Sequence, residues 1–348
     1  MNTATSAANA PQAMPPEAVV MQMVMGGFVA QAVYVAAKLG IADLLETKPQ
    51  SAADLAEQTN MNAGALYRVL RALASVGIFR ESEPRTFALT PLAETLLSDS
   101  ANSVKDAAIW MGEEPHWRVY SEMLWSVETG KPAWERVHGR EVFPYLFEEN
   151  APLGEIFNRA MSGFSRQAIP AVVEAYDFSN IKTLADIGGG YGHLLAGVLN
   201  ANPHLRGVLF DLPPVFAGAA ELLENENVID RTELVRGDFF EEIPVSADVY
   251  LLKHIIHDWD DERNVKILKN IRAAMPDGAK ILIVDAVIPE DNEQHFGKIL
   301  DLEMLVSPGG LERTESQFRT LLTEAGFRLT RIIPTRSPVS IVEAVKAI

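Results

Sequence analysis

The stretch Leu252-Lys253-His254-Ile255-Ile256-His257-Asp258-Trp259-Asp260-Asp261-Glu262 crowds a lysine, two histidines and several acids onto the end of an apolar run. An imidazole has an unperturbed pKa near ~6.5, which suits proton transfer at neutral pH, and neighbouring carboxylates can orient it. His257 lies just outside the strand, ahead of a helix that Asp258 or Asp260 would cap. There it can face a ligand as a general base, whereas a histidine taken alone is more often a satisfied structural residue. His254, His257 and Asp258 could also ligate a metal, but no further ligand set is legible.

A second cluster lies upstream, where Leu184-Ala185-Asp186-Ile187-Gly188-Gly189-Gly190-Tyr191-Gly192 reads as a buried strand, a glycine turn and a helix start. Glycines 188, 190 and 192 allow a tight turn against which a nucleotide-bearing cofactor can lie, as at the first strand of a doubly wound sheet. A dinucleotide fingerprint counted from Gly188 needs its third glycine where the chain has His193, which disfavours a nicotinamide dehydrogenase. Asp186 would suit a cation, such as the ammonium or sulfonium of S-adenosylmethionine, better than a pyrophosphate. Asp211, 23 positions after Gly188, ends the next strand, where such folds hold a ribose hydroxyl pair. Its alternative is a helix cap before Leu212-Pro213. Gly237-Asp238-Phe239-Phe240 ends the third strand with an acid for an exocyclic adenine amine and a ring for the base, or with an ordinary turn. Lys253 closes the next strand at the same carboxyl edge.

The elements that position these residues follow from the apolar pattern. Strands at 182–187, 207–210, 232–236, 248–253 and 280–285 alternate with helices from 192, at 213–224 and at 259–275, which predicts a parallel sheet covered on both faces. Tail strands near 328–334 and 339–345 pair antiparallel at one edge. Residues 1–16 read as disordered. Residues 17–100 read as a helical domain, with a helix at the Ser51-Ala-Ala-Asp54 start, a turn at 59–62, a second helix 63–76 and a hairpin from 78–80 and 86–89. This is a winged-helix outline, which raises DNA binding. Between 51 and 99, however, four arginines, no lysine and six acids leave it without the necessary charge. Residues 101–180 read as a helical linker rich in aromatics, and 181–348 as the sheet domain. Leu153, Phe157 and Met161 share one helix face, a pattern of core or of a pocket wall.

A formal charge of -17 argues against a polyanionic partner, and the absence of cysteine excludes disulfides and thiolate chemistry. The expected location is cytoplasmic. Ala18 to Ala37 is apolar enough to span a bilayer, but it has one basic flank, Lys38, and runs into an amphipathic pattern. The expectation is instead a helix buried on all sides in a subunit interface. Met1 to Pro16 has no basic segment of the kind that opens a secretory signal.

These motifs occur jointly and in order: LADIGGGYG, FDLP at 210–213, GDFF at 237–240, LKHIIHDWDDE at 252–262 and PGGLERT at 308–314. Together they resemble the plant-type, metal-independent small-molecule O-methyltransferases over nearly the whole chain. The resemblance implies an α/β, doubly wound Rossmann-like methyltransferase domain behind an N-terminal helical, winged-helix-like dimerisation domain. It implies a homodimer joined through the N-terminal helices, with S-adenosylmethionine as donor, S-adenosylhomocysteine as product, an aromatic small molecule as acceptor, and no metal, nucleic acid or membrane. By the same resemblance Asp211 and Leu212 hold the ribose end, Asp238 and Phe239 the adenine, Lys253 the outer edge, and Asp186, Gly188 and Gly190 the methionine moiety. His257 is the implied base, with Glu312 and Asp285 as flanking acids. Asp285 stands where the plant enzymes usually have glutamate, which leaves open whether it touches His257. Leu153, Phe157, Met161, Asp258 and Met304 fall at acceptor-lining positions. Two rivals remain on the same fold: a member repurposed for decarboxylation or hydroxylation, and a winged-helix regulator that senses S-adenosylmethionine.

Overall fold

The computed structural model describes residues 14–347. Of the expected disordered segment, residues 1–13 lie outside the described residues, and a helix already starts at Pro16. The chain divides into two compact units, Met1–Gly112 and Glu113–Ile348. Residues 101–112 therefore go with the first unit and 113–180 with the second, in place of a separate linker.

In the first unit, helices Ala52–Thr59 and Ala63–Ser75 start where side chains can satisfy their open N–H groups: Ser51 accepts from Asp54 and Asn62 from Ala65. Strands β1 (Gln50–Ser51), β2 (Phe79–Glu83) and β3 (Thr86–Leu89) form a small antiparallel sheet in the order β1-β3-β2. Leu55, Leu66, Leu70, Leu73, Phe79 and Phe87 fill the core beneath it. The first helix, Pro16–Lys38, was expected to be buried in a subunit interface, and one chain by itself leaves most of it uncovered. Only Ala36 and Ala37 are buried, while Val20, Met23, Val24 and Phe28 lie 59–74% exposed in the single chain.

In the second unit, β4 (Thr183–Ile187), β5 (Arg206–Asp211), β6 (Thr232–Arg236), β7 (Val249–Lys253), β8 (Lys280–Asp285), β9 (Phe327–Pro334) and β10 (Ser340–Lys346) form one sheet in the order β6-β5-β4-β7-β8-β10-β9. The first five are parallel, and β10 runs antiparallel between β8 and β9. Each strand matches the sequence expectation to within a residue at either end. The near-continuous apolar strands have a physical reason. Ala185, Phe210, Leu252 and Ile283 pack on one face while Leu184, Leu209, Leu251 and Leu282 pack on the other, and burying such side chains stabilises by ~1.5–3 kcal/mol each. The expected helix 213–224 opens as a short 3-10 turn before Phe216–Asn225. The helix expected from 259 starts at Asp261, capped by Asp260 after a 3-10 turn at Ile256–Asp258.

The sheet's far edge is pinned by a buried acid on β10. Glu343 accepts hydrogen bonds from Tyr176, Thr330 and Arg331 and pairs with Lys280. Burial alone would raise its pKa, but these donors together hold it at about 2.

Candidate active site

The carboxyl ends of β4, β5, β7 and β8 deliver Ile187, Asp211, Lys253 and Asp285 to one edge, the usual ligand edge of an open α/β sheet. The glycine turn follows β4. Gly188, Gly190 and Gly192 all have φ between 60° and 84°, the left-handed region that disfavours a side chain. A Cβ on Gly188 would lie 2.6 Å from the Ile255 side chain and 3.4 Å from Phe239, so the turn packs against the segment that carries His257. A Cβ on Gly190 would meet nothing within 4 Å, and the backbone there faces open space.

Asp211 ties this turn to β5: its Oδ2 accepts the Gly190 N–H at 2.7 Å and its Oδ1 the Leu212 N–H at 2.7 Å. Burial nevertheless raises its pKa to about 6. Asp186 is fully buried, and one of its oxygens, Oδ2, has no hydrogen-bond partner among the described residues. Burial raises this acid to about 7, the Lys253 ammonium opposes the rise, and Asp211 adds to it. Leu212 is 42% exposed beside Asp211. Asp238 is exposed and accepts the Phe240 N–H, so it stands apart from the buried acids, while Phe239 packs edge-to-face with Phe240 and Trp259.

The 3-10 turn after β7 carries the other half of the site. The His257 ring is 7% exposed; its Nδ1 lies 2.7 Å from Glu312 Oε1 and its Nε2 3.4 Å from Asp258 Oδ1. Burial alone would lower its pKa, but Asp258, the Glu312 hydrogen bond and Asp285 outweigh it and raise it to about 10. The same crowding, with burial first, raises Asp258 to about 7 and Asp285 to about 6. The open question about Asp285 has a geometric answer: its Oδ1 accepts the His254 N–H at 2.8 Å, and its Oδ2 has no hydrogen-bond partner among the described residues. Asp285 thus acts on His257 through its charge.

Four of the residues expected to line an acceptor are spread over two helices. Leu153, Phe157 and Met161 lie on Ala151–Ala175, with Leu153 buried and the other two half-buried, and Met304 is buried on Phe296–Val306. An aromatic row links the first group to the turn that carries His257, since Phe157 meets Phe143 edge-to-face at 6.2 Å and Phe143 lies 5.4 Å from Trp259.

Sequence reading weighed His254 only as a possible metal ligand; its ring stacks on His257 at 4.9 Å and its Nδ1 lies 3.2 Å from Lys253 Nζ. Its left-handed backbone, φ 54°, has no local sequence signal. Arg313 and Asn264 were passed over. Arg313 stands inside the PGGLERT motif, next to Glu312, and could have been flagged there, whereas nothing distinguishes Asn264 along the helix.

The cleft fits S-adenosylmethionine on its own chemistry. A buried carboxylate with an unpartnered oxygen suits a cation, the open face of Gly190 leaves room for it, and both Asp211 oxygens keep a lone pair for a diol. Among the described residues no group of three or more His, Cys, Asp or Glu is arranged to hold a metal ion.

Known proteins resemble the chain over most of its length. Residues 120–328 match an O-methyltransferase domain and residues 21–99 an O-methyltransferase dimerisation domain. The chain is 47% identical over 332 residues to phenazine O-methyltransferase PhzM of Lysobacter antibioticus, covering 95% of this chain and 97% of that protein. The crystal structure of LaPhzM aligns with a TM-score of 0.92 at 46% identity over 96% of this chain and 100% of that one. NcsB1, an O-methyltransferase from neocarzinostatin biosynthesis solved with S-adenosylhomocysteine and 1,4-dihydroxy-2-naphthoic acid, aligns with a TM-score of 0.78 at 31% identity, over 92% and 96% of the two chains. The chain belongs to the S-adenosylmethionine-dependent O-methyltransferase family.

Proposed function

We propose that this protein is a cytoplasmic, homodimeric enzyme that methylates a phenolic hydroxyl of an aromatic small molecule, with His257 as the general base. The observation that carries the reading is the His257 imidazole held between Glu312 and Asp258 beside the glycine turn. S-adenosylmethionine supplies an electrophilic methyl group when bound in that cleft. Asp186, Gly188, Gly190, Asp211, Leu212, Asp238, Phe239 and Lys253 hold it, with Asp211 on the ribose and Asp238 and Phe239 on the adenine. The aromatic row and Leu153, Met161 and Met304 clamp a flat acceptor by area burial and sulfur contact. His257 Nε2 takes the phenol proton, while Glu312 on Nδ1 fixes the ring's orientation and steadies the imidazolium that results. The intact His257–Glu312 pair disfavours a family member repurposed for decarboxylation or hydroxylation.

The raised pKa of His257 gives this mechanism a pH signature. A phenol titrates near ~10, so a base whose conjugate acid also lies at about 10 takes the proton with little uphill cost. The ligand-free enzyme, however, holds His257 mostly protonated at neutral pH. Only the neutral ring can accept a proton, and its fraction grows about tenfold per pH unit below the pKa. The expected kcat/KM therefore climbs with that slope between pH 7 and 9, measured with labelled S-adenosylmethionine and a panel of phenols. A flat profile over that window would show that His257 is already neutral or is not the base.

The dimer reading rests on the apolar face of the Pro16–Lys38 helix, which the single chain leaves uncovered and which falls largely within the matched dimerisation domain. Light scattering should give twice the chain mass, and Val24→Asp with Phe28→Asp should shift it to the monomer. A wild-type monomer at micromolar concentration removes this part of the proposal.

A further inference from the structure

The turn that carries His257 and Asp258 is gripped at both ends by the same two side chains. Arg313, 1% exposed, donates from Nη1 to the Ile256 carbonyl at 2.9 Å and from Nη2 to the Trp259 carbonyl at 3.0 Å. Asn264, 0% exposed, donates from Nδ2 to those same two carbonyls, each at 2.8 Å. Ile256 and Trp259 bracket the two residues in question, so each end of a four-residue segment is held twice. Gly310 closes the third side: a Cβ there would lie 2.0 Å from the His257 carbonyl oxygen and 2.6 Å from the Trp259 nitrogen, so the two backbones are in direct contact.

The clamp is itself anchored. Arg313 Nε and Nη2 both reach Asp261 Oδ1, at 3.1 and 2.7 Å, on the first residue of the helix that follows the turn. The Arg313 carbonyl accepts the Ile288 N–H just beyond β8, and the neighbouring Glu312 N–H donates to Asp301. Glu312 and Arg313 therefore divide two tasks between adjacent positions. One contacts the imidazole of His257, and the other fixes the backbone from which that imidazole projects. Glu312 can meet Nδ1 at 2.7 Å only while the turn stays in this place.

We propose that Arg313 and Asn264, with Gly310 as the surface they press the turn against, are positioning residues for methyl transfer. They lock the Ile256–Trp259 segment so that His257 and Asp258 keep their alignment to Glu312 and to the acceptor. The proposal rests on the reading of His257 as the base, and its role differs from that of ordinary core residues. Slack in this segment displaces the base without disturbing Asp211 or the glycine turn, and a misplacement of about 1 Å can cost ~100-fold in rate.

The test uses the full-length protein with Asn264→Ala, Arg313→Lys or Gly310→Ala. Asn264→Ala deletes two bonds, Arg313→Lys keeps the charge for Asp261 but loses the fork, and Gly310→Ala removes no bond and inserts one carbon into the contact. Three quantities are read on folded protein: kcat with labelled S-adenosylmethionine and a phenol that the wild type turns over, S-adenosylhomocysteine affinity by calorimetry, and the titration of the His257 ring by nitrogen NMR. The expected result is a fall in kcat of about 10- to 100-fold, S-adenosylhomocysteine affinity within about threefold of wild type, and a His257 titration moved to lower pH as its acids lose alignment. Unchanged kcat with an unchanged titration overturns the proposal, and so does cofactor affinity that falls in step with kcat. Should Arg313→Lys or Gly310→Ala fail to fold, Asn264→Ala, which only truncates a side chain, carries the test. Turnover retained in His257→Ala would end the base assignment, whereas the ring titration reports on the clamp whatever the chemistry.

Discussion

His257→Ala should lower kcat by about 100- to 10,000-fold, the usual contribution of a positioned general base, while S-adenosylhomocysteine binds within about twofold of wild type. The separation follows from the architecture. His257 contacts Glu312 and Asp258, whereas the glycine turn is tied to Asp211, so removing the imidazole leaves the cofactor edge intact. The variant should also lose the rise of kcat/KM between pH 7 and 9. Wild-type turnover would end the assignment, and a parallel loss of cofactor affinity would make His257 a structural residue. Glu312 is a poorer probe, because one of its oxygens is buried without a hydrogen-bond partner among the described residues and truncation there leaves a void beside a cation.

Asp211→Asn should weaken S-adenosylhomocysteine binding by about 10- to 100-fold, since a hydrogen bond to a charged acceptor contributes ~1.5–3 kcal/mol and each ~1.4 kcal/mol is tenfold. The same change removes the cost of ionising a buried acid but leaves the Gly190 or the Leu212 N–H facing an amide NH2, so the melting temperature of the ligand-free protein at pH 8 should fall by less than the loss of a hydrogen bond alone would give. Burial raises the Asp211 carboxyl to about 6, above its ordinary value of 3.8. A raised acid favours the folded state least where it must ionise, so its penalty is absent below 3.8, grows as pH rises and is complete above about 6. The acid is kept at a cost to stability that a function would justify. Calorimetry and thermal melts at pH 8 decide the matter: unaltered affinity would show that the ribose lies elsewhere.

The centre of the sheet was legible because β4, β7 and β8 are near-continuous apolar runs buried on both faces, which leaves no ambiguity of period. Helix starts were less sharp where local chemistry competed. Pro213 opens a 3-10 turn, and Ile256–Asp258 forms another before Asp260 takes the cap. At the site, sequence order was enough to place Asp211, Lys253 and His257 on one edge, because strand ends of a parallel sheet share a side. It could not show that Asp285 spends its Oδ1 on the His254 N–H, which depends on a left-handed residue that no local pattern announces. Nor could it show Asn264 reaching back from a helix to two carbonyls, a contact fixed only by tertiary packing.

The place of β10 in the sheet has a consequence for how the protein is made. Ser340–Lys346 is the last of the seven strands to be synthesised, yet it lies between two others rather than at an edge. Until it leaves the ribosome, β8 presents an open row of N–H and carbonyl groups, and β9 has no partner in the sheet. The nascent domain thus emerges with its adhesive flank uncovered, a state prone to wrong pairing. Glu343, carried on that final strand, brings the acid that gathers Tyr176, Lys280, Thr330 and Arg331. Closure of the sheet therefore waits for the strand that also carries its pinning acid.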